Sequence, residues 1–163
     1  MAPQPPITEI DQLKDRPAVA ALQAASLVES AKFDRDELTI FVNRADIRGA
    51  CEILRENPAT KYNFLADITC VDVFPSEPRF EVIYNLLSHS RKERLRLIAK
   101  VPGGDPSIES LMGLWPSANF FEREVFDLFG VRFVGHPNLR RIMMPEDWEG
   151  HPLRKDYPVE GYR

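Results

Sequence analysis

Three consecutive β-rich segments, separated by clear turns, most constrain how this chain can fold. The segments are YNFLADITCVDVF, RFEVIYNLLSH and ERLRLIAKV, and turn signals separate them at Pro75–Pro78 and Ser88–Lys92. In the third segment Leu95, Leu97 and Ala99 alternate with mostly charged residues. A period of two is typical of a strand with one face in the core and one in solvent. The sequence therefore predicts an antiparallel meander of three strands.

The elements before the meander are shorter. A helix is predicted to begin at Pro17, a hairpin follows over VESAKF and LTIFVN, and a second helix covers residues 45–56. The predicted inward positions are Val19, Leu22 and Ala25 or Ser26 of the first helix, Leu38, Ile40 and Val42 of the hairpin, and Ile47, Ala50, Cys51 and Leu54 of the second helix. This order of elements predicts an α+β fold: a mostly antiparallel sheet with helices packed on one face.

A third helix is predicted after the Gly-Gly-Asp-Pro break at residues 103–106. Asn119 is a candidate N-cap, Glu122 its capping-box partner three positions later, and Gly130 a candidate left-handed C-cap. The predicted apolar stripe consists of Phe121, Val125, Leu128 and Phe129. Glu122, Glu124 and Asp127 lie outside this stripe and are candidates for pairing with arginine or backbone N–H groups.

Charge and cysteine content exclude several classes of function. A net charge of -4 and a pI near 5.4 argue against nucleic acid as the main partner. Cys51 and Cys70 stand alone, so they cannot supply the four thiolates of an iron-sulfur cluster or a structural zinc site. No apolar run approaches the roughly 20 residues needed to cross a bilayer, so contact with a membrane is expected only through partners.

The chain divides into three predicted parts. Residues 1–16 are expected to form a flexible leader, residues 17–130 the α+β domain, and residues 131–163 an extended C-terminal arm. The arm shows no hydrophobic periodicity and contains four prolines, but it also contains Trp148 and Met143. Disordered segments are poor in such side chains. The composition therefore favours an arm that lies on the surface of another protein.

Two other interpretations of the arm compete with this one. A metal or catalytic site could use His136 and His151, with Glu122, Glu124 or Asp127 as acids. The two histidines are far apart in the sequence, whereas metal ligands have short spacings. Each histidine also precedes a proline, which favours an extended backbone. A nucleic-acid surface could use the arm's basic residues, but interspersed acids cancel much of their charge. Hydrogen bonds and ion pairs that hold the arm in place are the favoured interpretation.

The stretch EREVFDLFGVRFVGHPNLRRIMMPEDWEGHPLRKDYPVEGY closely resembles the signature of the 30-kilodalton subunit family of respiratory complex I, which is the C subunit of the bacterial proton-translocating NADH:quinone oxidoreductase. The resemblance extends more loosely over residues 20–162 and departs from the family at Phe126 and Val73, where tyrosine is common. The matching positions are Glu122, Arg123, Glu124, Asp127, Gly130, Phe133, Gly135, His136, Pro137, Leu139, Arg141, Asp147, Trp148, Gly150, His151, Pro152, Leu153, Arg154, Lys155, Asp156 and Pro158.

The resemblance implies a cofactor-free subunit of the enzyme's hydrophilic arm, peripheral on the cytoplasmic face of the bacterial membrane. It implies that the matching residues form an interface with other subunits, chiefly the 49-kilodalton protein of the quinone site, and with neighbouring iron-sulfur subunits. NADH, FMN, iron-sulfur clusters and quinone would belong to the holoenzyme. The alternatives are the equivalent subunit of a ferredoxin- or F420-linked dehydrogenase or of a membrane-bound hydrogenase, and a metal-dependent enzyme that uses His136 and His151.

Overall fold

A computed structural model describes residues 5–161. Its helices are α1 (Pro17–Ala24), α2 (Ile47–Glu56) and α3 (Ala118–Phe129), and its strands are β1 (Ser30–Asp34), β2 (Glu37–Val42), β3 (Phe64–Asp72), β4 (Phe80–Ser88), β5 (Glu93–Val101), β6 (Ser107–Glu109) and β7 (Arg132–Val134). Short 3-10 helices cover Ile10–Leu13 and Arg44–Asp46. The predicted order of helices and strands through residue 101 is confirmed.

The main sheet has the strand order β1-β2-β5-β4-β3. Strands β3, β4 and β5 pair in antiparallel fashion, which confirms the predicted meander. The hairpin β1-β2 is also antiparallel, but β2 lies parallel to β5, with Ile40 opposite Leu97. The sheet is therefore mixed and mostly antiparallel, and the α+β fold class is confirmed.

The hydrophobic core lies between the helices and one face of the sheet. Leu95, Leu97 and Ala99 are buried, as the alternation predicts, and so are the predicted stripes of β2 and α2. In one respect the prediction for α1 is wrong. That helix ends at Ala24, so Ala25 and Ser26 are exposed instead of facing inward.

The predicted flexible leader is wrong for residues 7–13. Ile7 forms a two-way backbone bridge with Phe33 on the edge of β1, and the 3-10 helix that follows buries Leu13 in the core. Ile7 and Ile10 are also partly buried against the core, so the segment is attached although it shows no hydrophobic period. Residues 1–4 lie outside the described range.

The predicted beginning of α3 is also wrong, whereas its end is confirmed. Ser117, not Asn119, is the N-cap residue, and Asn119 lies inside the first turn. Glu122 makes no capping box because it is fully buried and binds elsewhere. Gly130 has φ of 76° and its N–H donates to the Phe126 carbonyl, as a left-handed C-cap requires.

The predicted boundary at residue 131 is misplaced. Residues 132–134 form β7, which pairs in parallel with β6 and places Phe133 opposite Ile108. Val131 and Phe133 are buried in the core. The α+β domain therefore continues to Val134, and residues 135–161 after it form no further helix or strand.

Candidate functional site: the C-terminal strap and its anchors

Residues 135–161 run over the surface of the domain without helix or strand, and we call them the strap. The sequence predicts that this stretch lies on another protein. In the structure its backbone and several of its charged side chains bind the chain's own domain, chiefly at two places. The first lies at the C-terminal end of α3 and the second at the end of β3.

At the first place the strap satisfies the carbonyl groups that end α3. The last four carbonyls of a helix have no partner within the helix. Here Asp127 O accepts from Arg141 Nη1 at 3.1 Å and lies 2.9 Å from His151 Nδ1. Leu128 O accepts from the Leu153 N–H at 3.0 Å, and Phe129 O accepts from Arg154 Nε at 2.6 Å. The two arginines also complement the negative end of the helix dipole.

The carboxylate of Asp127 is the centre of this first anchor. It is fully buried, and its Oδ1 accepts from Arg141 Nη1 at 2.6 Å. Its Oδ2 accepts from three successive backbone N–H groups, those of Ile142, Met143 and Met144, at 2.7–2.9 Å. Burial alone would raise the pKa of Asp127, but these donors outweigh burial and hold the pKa below its ordinary value.

Arg141 joins the anchor to the far side of the strap. Its Nη2 donates to the carbonyls of Trp148 and Gly150, both at 2.9 Å. One guanidinium therefore closes the loop between residues 141 and 150 while it pairs with Asp127. These four hydrogen bonds come from the two terminal nitrogens of one planar guanidinium, and the three donors of a lysine could not reproduce them.

Gly130 is required where α3 meets the strap. A Cβ built there would overlap Arg154 Nη2 and would lie 2.6 Å from two ring atoms of His151. The left-handed φ of 76° disfavours a side chain independently of this overlap. The glycine thus allows both the turn and the close approach of the strap.

The second anchor is built on a buried strand carboxylate, Asp72. It accepts from Arg79 Nε at 3.0 Å and Nη2 at 2.8 Å, and from the Lys155 N–H at 2.8 Å. The same guanidinium also binds Asp156 through two nitrogens, at 3.0 and 2.6 Å. Burial would raise the pKa of Asp72, but these hydrogen bonds, Arg79 first, lower it to about 2.

The beginning of the strap is held by polar contacts to α3. Arg123 donates to the carbonyls of Arg140 and Arg141, both at 3.1 Å. His136 Nδ1 accepts from the Asn138 N–H at 3.0 Å, so its Nε2, 3.3 Å from Asn119 O, is the protonated nitrogen. Burial lowers the pKa of His136, which keeps the ring neutral near pH 7.

Glu122 lies apart from the strap. Its carboxylate is fully buried and accepts from Ser110 Oγ and from the Leu111 N–H, both at 2.6 Å. Within residues 5–161 no basic side chain pairs with it. Burial therefore raises the pKa of Glu122 to about 7, although the two hydrogen bonds oppose the shift. The residue fixes the segment after β6 against α3.

The large apolar side chains of the strap point away from the domain. Met143 is 63% exposed, Leu153 51%, Trp148 39% and Ile142 37%. Leu139 and Met144 are partly buried, and Leu139 packs against the core. The polar groups of the strap therefore serve internal attachment, whereas its apolar groups are available to a partner.

The described part of the chain offers no cluster of three or more histidine, cysteine, aspartate or glutamate side chains able to hold a metal ion. His151 is used by the helix terminus and His136 by Asn119 and Asn138. Burial raises the pKa of both cysteine thiols, Cys51 and Cys70. No helix between residues 5 and 161 is long and apolar enough to span a bilayer.

Comparison with known proteins identifies the family of the chain. Residues 40–163 match the family model described as respiratory-chain NADH dehydrogenase, 30 Kd subunit. The chain belongs to this family. The C subunit of NADH-quinone oxidoreductase from Geotalea uraniireducens is 46% identical over 154 residues, which cover 93% of this chain and 92% of that protein. The C subunit from Geobacter sulfurreducens is 50% identical over 139 residues, 85% of this chain and 84% of that protein.

Two solved structures resemble the fold of this family member. One is described as the trypsin-resistant fragment (1-134) of Nqo5; it has 28% identity, a TM-score of 0.60, and covers 80% of this chain and 98% of its own. The other belongs to an archaeal respiratory membrane complex, the membrane-bound sulfane sulfur reductase, with 27% identity, a TM-score of 0.72 and coverage of 86% and 82%. The predicted family resemblance is confirmed.

The structure places the predicted interface residues in three environments. Buried in the domain are Glu122, Asp127, Gly130 and Phe133. Partly buried are Arg123, His136, Leu139, Arg141, Gly150, His151, Pro152 and Arg154. Exposed are Glu124, Gly135, Pro137, Asp147, Trp148, Lys155 and Asp156. The family pattern thus contains mainly residues that attach the strap to its own domain, and their contact with a partner stays a prediction.

The sequence prediction missed both partners in the second anchor. Asp72 follows Ile68 and Cys70 at the inward positions of β3. A carboxylate at a buried strand position must find a charged or hydrogen-bonding partner, so the period of two already contained this signal. Its partner, Arg79, comes directly before the buried Phe80, after a turn that the sequence does predict.

Proposed function

We propose that this chain is a cofactor-free structural subunit of the hydrophilic arm of a proton-translocating NADH:quinone oxidoreductase. In this proposal the strap docks on the 49-kilodalton subunit of the quinone site, next to the iron-sulfur subunits, on the cytoplasmic face of the membrane. The chain supports electron transfer from NADH to quinone by holding these subunits in register. NADH, FMN, the iron-sulfur clusters and quinone are bound by the other subunits.

The arrangement of the strap supports this function. Five large apolar side chains, those of Ile142, Met143, Trp148, Leu153 and Val159, are exposed on a segment whose backbone is bound to the domain at two anchors. Exposed apolar groups on an ordered surface are characteristic of the central part of a protein interface. The choice of complex is supported by the names of the relatives, which are C subunits of NADH-quinone oxidoreductase at 46% and 50% identity.

The resemblance to the sulfane sulfur reductase complex favours one second candidate. In it the chain is the equivalent subunit of a related membrane complex with another electron donor, such as a ferredoxin- or F420-linked dehydrogenase or a membrane-bound hydrogenase. The docking role would be the same. Identification of the subunits that co-purify with the tagged chain from native membranes separates the two candidates.

Met143→Ser and Trp148→Ser, combined, test the docking role. These changes remove two exposed apolar side chains without touching an anchor, so the free subunit should fold normally. We expect the amount of assembled complex on native gels to fall at least about tenfold, which corresponds to about 1.4 kcal/mol in binding. Activity per assembled complex should stay near normal.

Phe64→Ser combined with Val71→Ser is the matched control, since these apolar side chains of β3 are 45% and 42% exposed and lie outside the strap. A photo-crosslinker at position 143 should yield a product that contains the 49-kilodalton subunit. Full assembly of the strap variant, or a crosslink only to other subunits, would overturn the proposed interface. Full assembly with low turnover would instead indicate a catalytic role.

A further inference from the structure

Residues 141–144 of the same chain supply four hydrogen-bond donors to the buried Asp127 carboxylate. We propose that the strap closes on its own domain before any partner binds, with the Asp127 carboxylate as the latch that fixes its conformation. The purpose of the latch rests on the proposed docking function, whereas its closure is a property of the isolated chain.

The geometry at Asp127 defines a single backbone path. Three successive N–H groups, from Ile142 to Met144, converge on one oxygen atom, Oδ2, at 2.7–2.9 Å. An extended strand points successive N–H groups in opposite directions, so this convergence requires a tight turn around the carboxylate. The other oxygen, Oδ1, binds Arg141. Loss of the carboxylate would thus release both the turn and the guanidinium that closes the loop to residue 150.

The latch is complete without a partner subunit. Each carbonyl in the last turn of α3 has a donor, and three of the four receive it from the strap. The Asp127 carboxylate has four donors, all from residues 141–144. The buried acceptors of the latch therefore already have donors. In this respect the strap differs from a segment that orders only on binding.

The latch also determines which face of the strap is presented. With residues 142–144 wrapped around Asp127, Ile142 and Met143 point into solvent, and Trp148 does so on the other side of the loop that Arg141 closes. The kind of partner that fits is a protein surface with an apolar recess. Because the strap is ordered in advance, such a partner would not have to supply the free energy of ordering it.

Hydrogen exchange of the purified full-length chain at neutral pH tests the proposal. We expect the N–H groups of Ile142, Met143 and Met144 to exchange at least about tenfold more slowly than in an unstructured chain. In Asp127→Asn, which keeps the shape and removes the charge, they should approach the unstructured rate while the β4 amides stay protected. Glu124→Gln, the same change at an exposed site on the same helix, should leave exchange unaltered.

A second variant covers the possibility that Asp127→Asn disturbs α3. Met143→Pro removes one N–H donor from the strap side and leaves the helix intact, so it should release the strap in the same way. Unstructured exchange rates in the wild-type strap would overturn the latch. So would unchanged protection in both variants. The docking function fails separately, if the Met143→Ser and Trp148→Ser variant assembles normally although its strap is closed.

Discussion

Replacement of the buried Glu122 by glutamine should remove a pH dependence from the stability of the domain. The carboxylate accepts two hydrogen bonds, from Ser110 and Leu111, and glutamine can keep both. Its oxygen accepts from the Leu111 N–H and its amide donates to Ser110 Oγ. What the variant loses is the ability to become a buried anion, which the wild type does as the pH passes about 7.

The pKa of Glu122 determines how much the stability of the domain changes with pH. It is about 7 in the folded chain, and an unfolded chain has an ordinary value near 4.3. Between these values the folded state binds more protons than the unfolded state, so stability falls as the pH rises. Above pH 7 both states are ionised and no further loss occurs. The difference in proton binding between the two states lowers the free energy of unfolding by about 2 kcal/mol between pH 5.5 and pH 8.

Urea denaturation of the full-length chain at several pH values measures this loss. The free energy of unfolding of Glu122→Gln minus that of the wild type should rise by about 2 kcal/mol from pH 5.5 to pH 8. Contributions that the two proteins share cancel in the difference. Glu52→Gln, at an exposed position of α2, should show a constant difference. Parallel pH curves for Glu122→Gln and the wild type would refute the burial of an unpaired carboxylate at this site.

Two further predictions concern the anchors. Gly130→Ala should cost more free energy of unfolding in urea than Gly135→Ala, since both glycines have positive φ but only the first has strap side chains within contact distance. The left-handed backbone accounts for about 1–2 kcal/mol in each variant, and equal costs would show that the overlap has no effect. Acid should release the second anchor, because the contribution of Asp72 is fully present above about pH 4 and is lost as the pH falls through its pKa of about 2. Pulsed hydrogen exchange of the Lys155 amide between pH 4 and pH 2 measures this, and constant protection over that range would contradict it.

The parts of the fold that periodicity controls were predictable from the sequence. The alternation in β5, the stripe of α2 and the glycine that ends α3 each depend on local geometry, and the structure confirms all three. The N-cap of α3 was not predictable in this way. Asn119 and Glu122 have the spacing of a capping box, but burial of Glu122 against Ser110 and Leu111 determines where that side chain lies. A tertiary contact overrides the local pattern there.

The path of the strap could not be predicted because it depends on contacts between residues far apart in the sequence. Arg79 and Asp156 are 77 residues apart, and Asp72 and Lys155 are 83 apart. The sequence shows that the strap contains side chains typical of an ordered segment, but it does not show which protein surface they contact. The same Arg, Trp and Met residues would be expected on a segment that folds against a partner.

The two kinds of side chain in the strap have separate tasks. Charged groups such as Arg141 and Arg154 are directed at the end of α3, where a buried carboxylate and free carbonyls need donors. Apolar side chains such as Met143 do not serve as such donors, and they remain exposed. Removal of a charged side chain from the strap therefore first affects the subunit itself, because Asp127 or a helix carbonyl loses its donor. Its effect on assembly would follow from the lost shape of the strap, so a charged residue can be indispensable for docking without touching the partner.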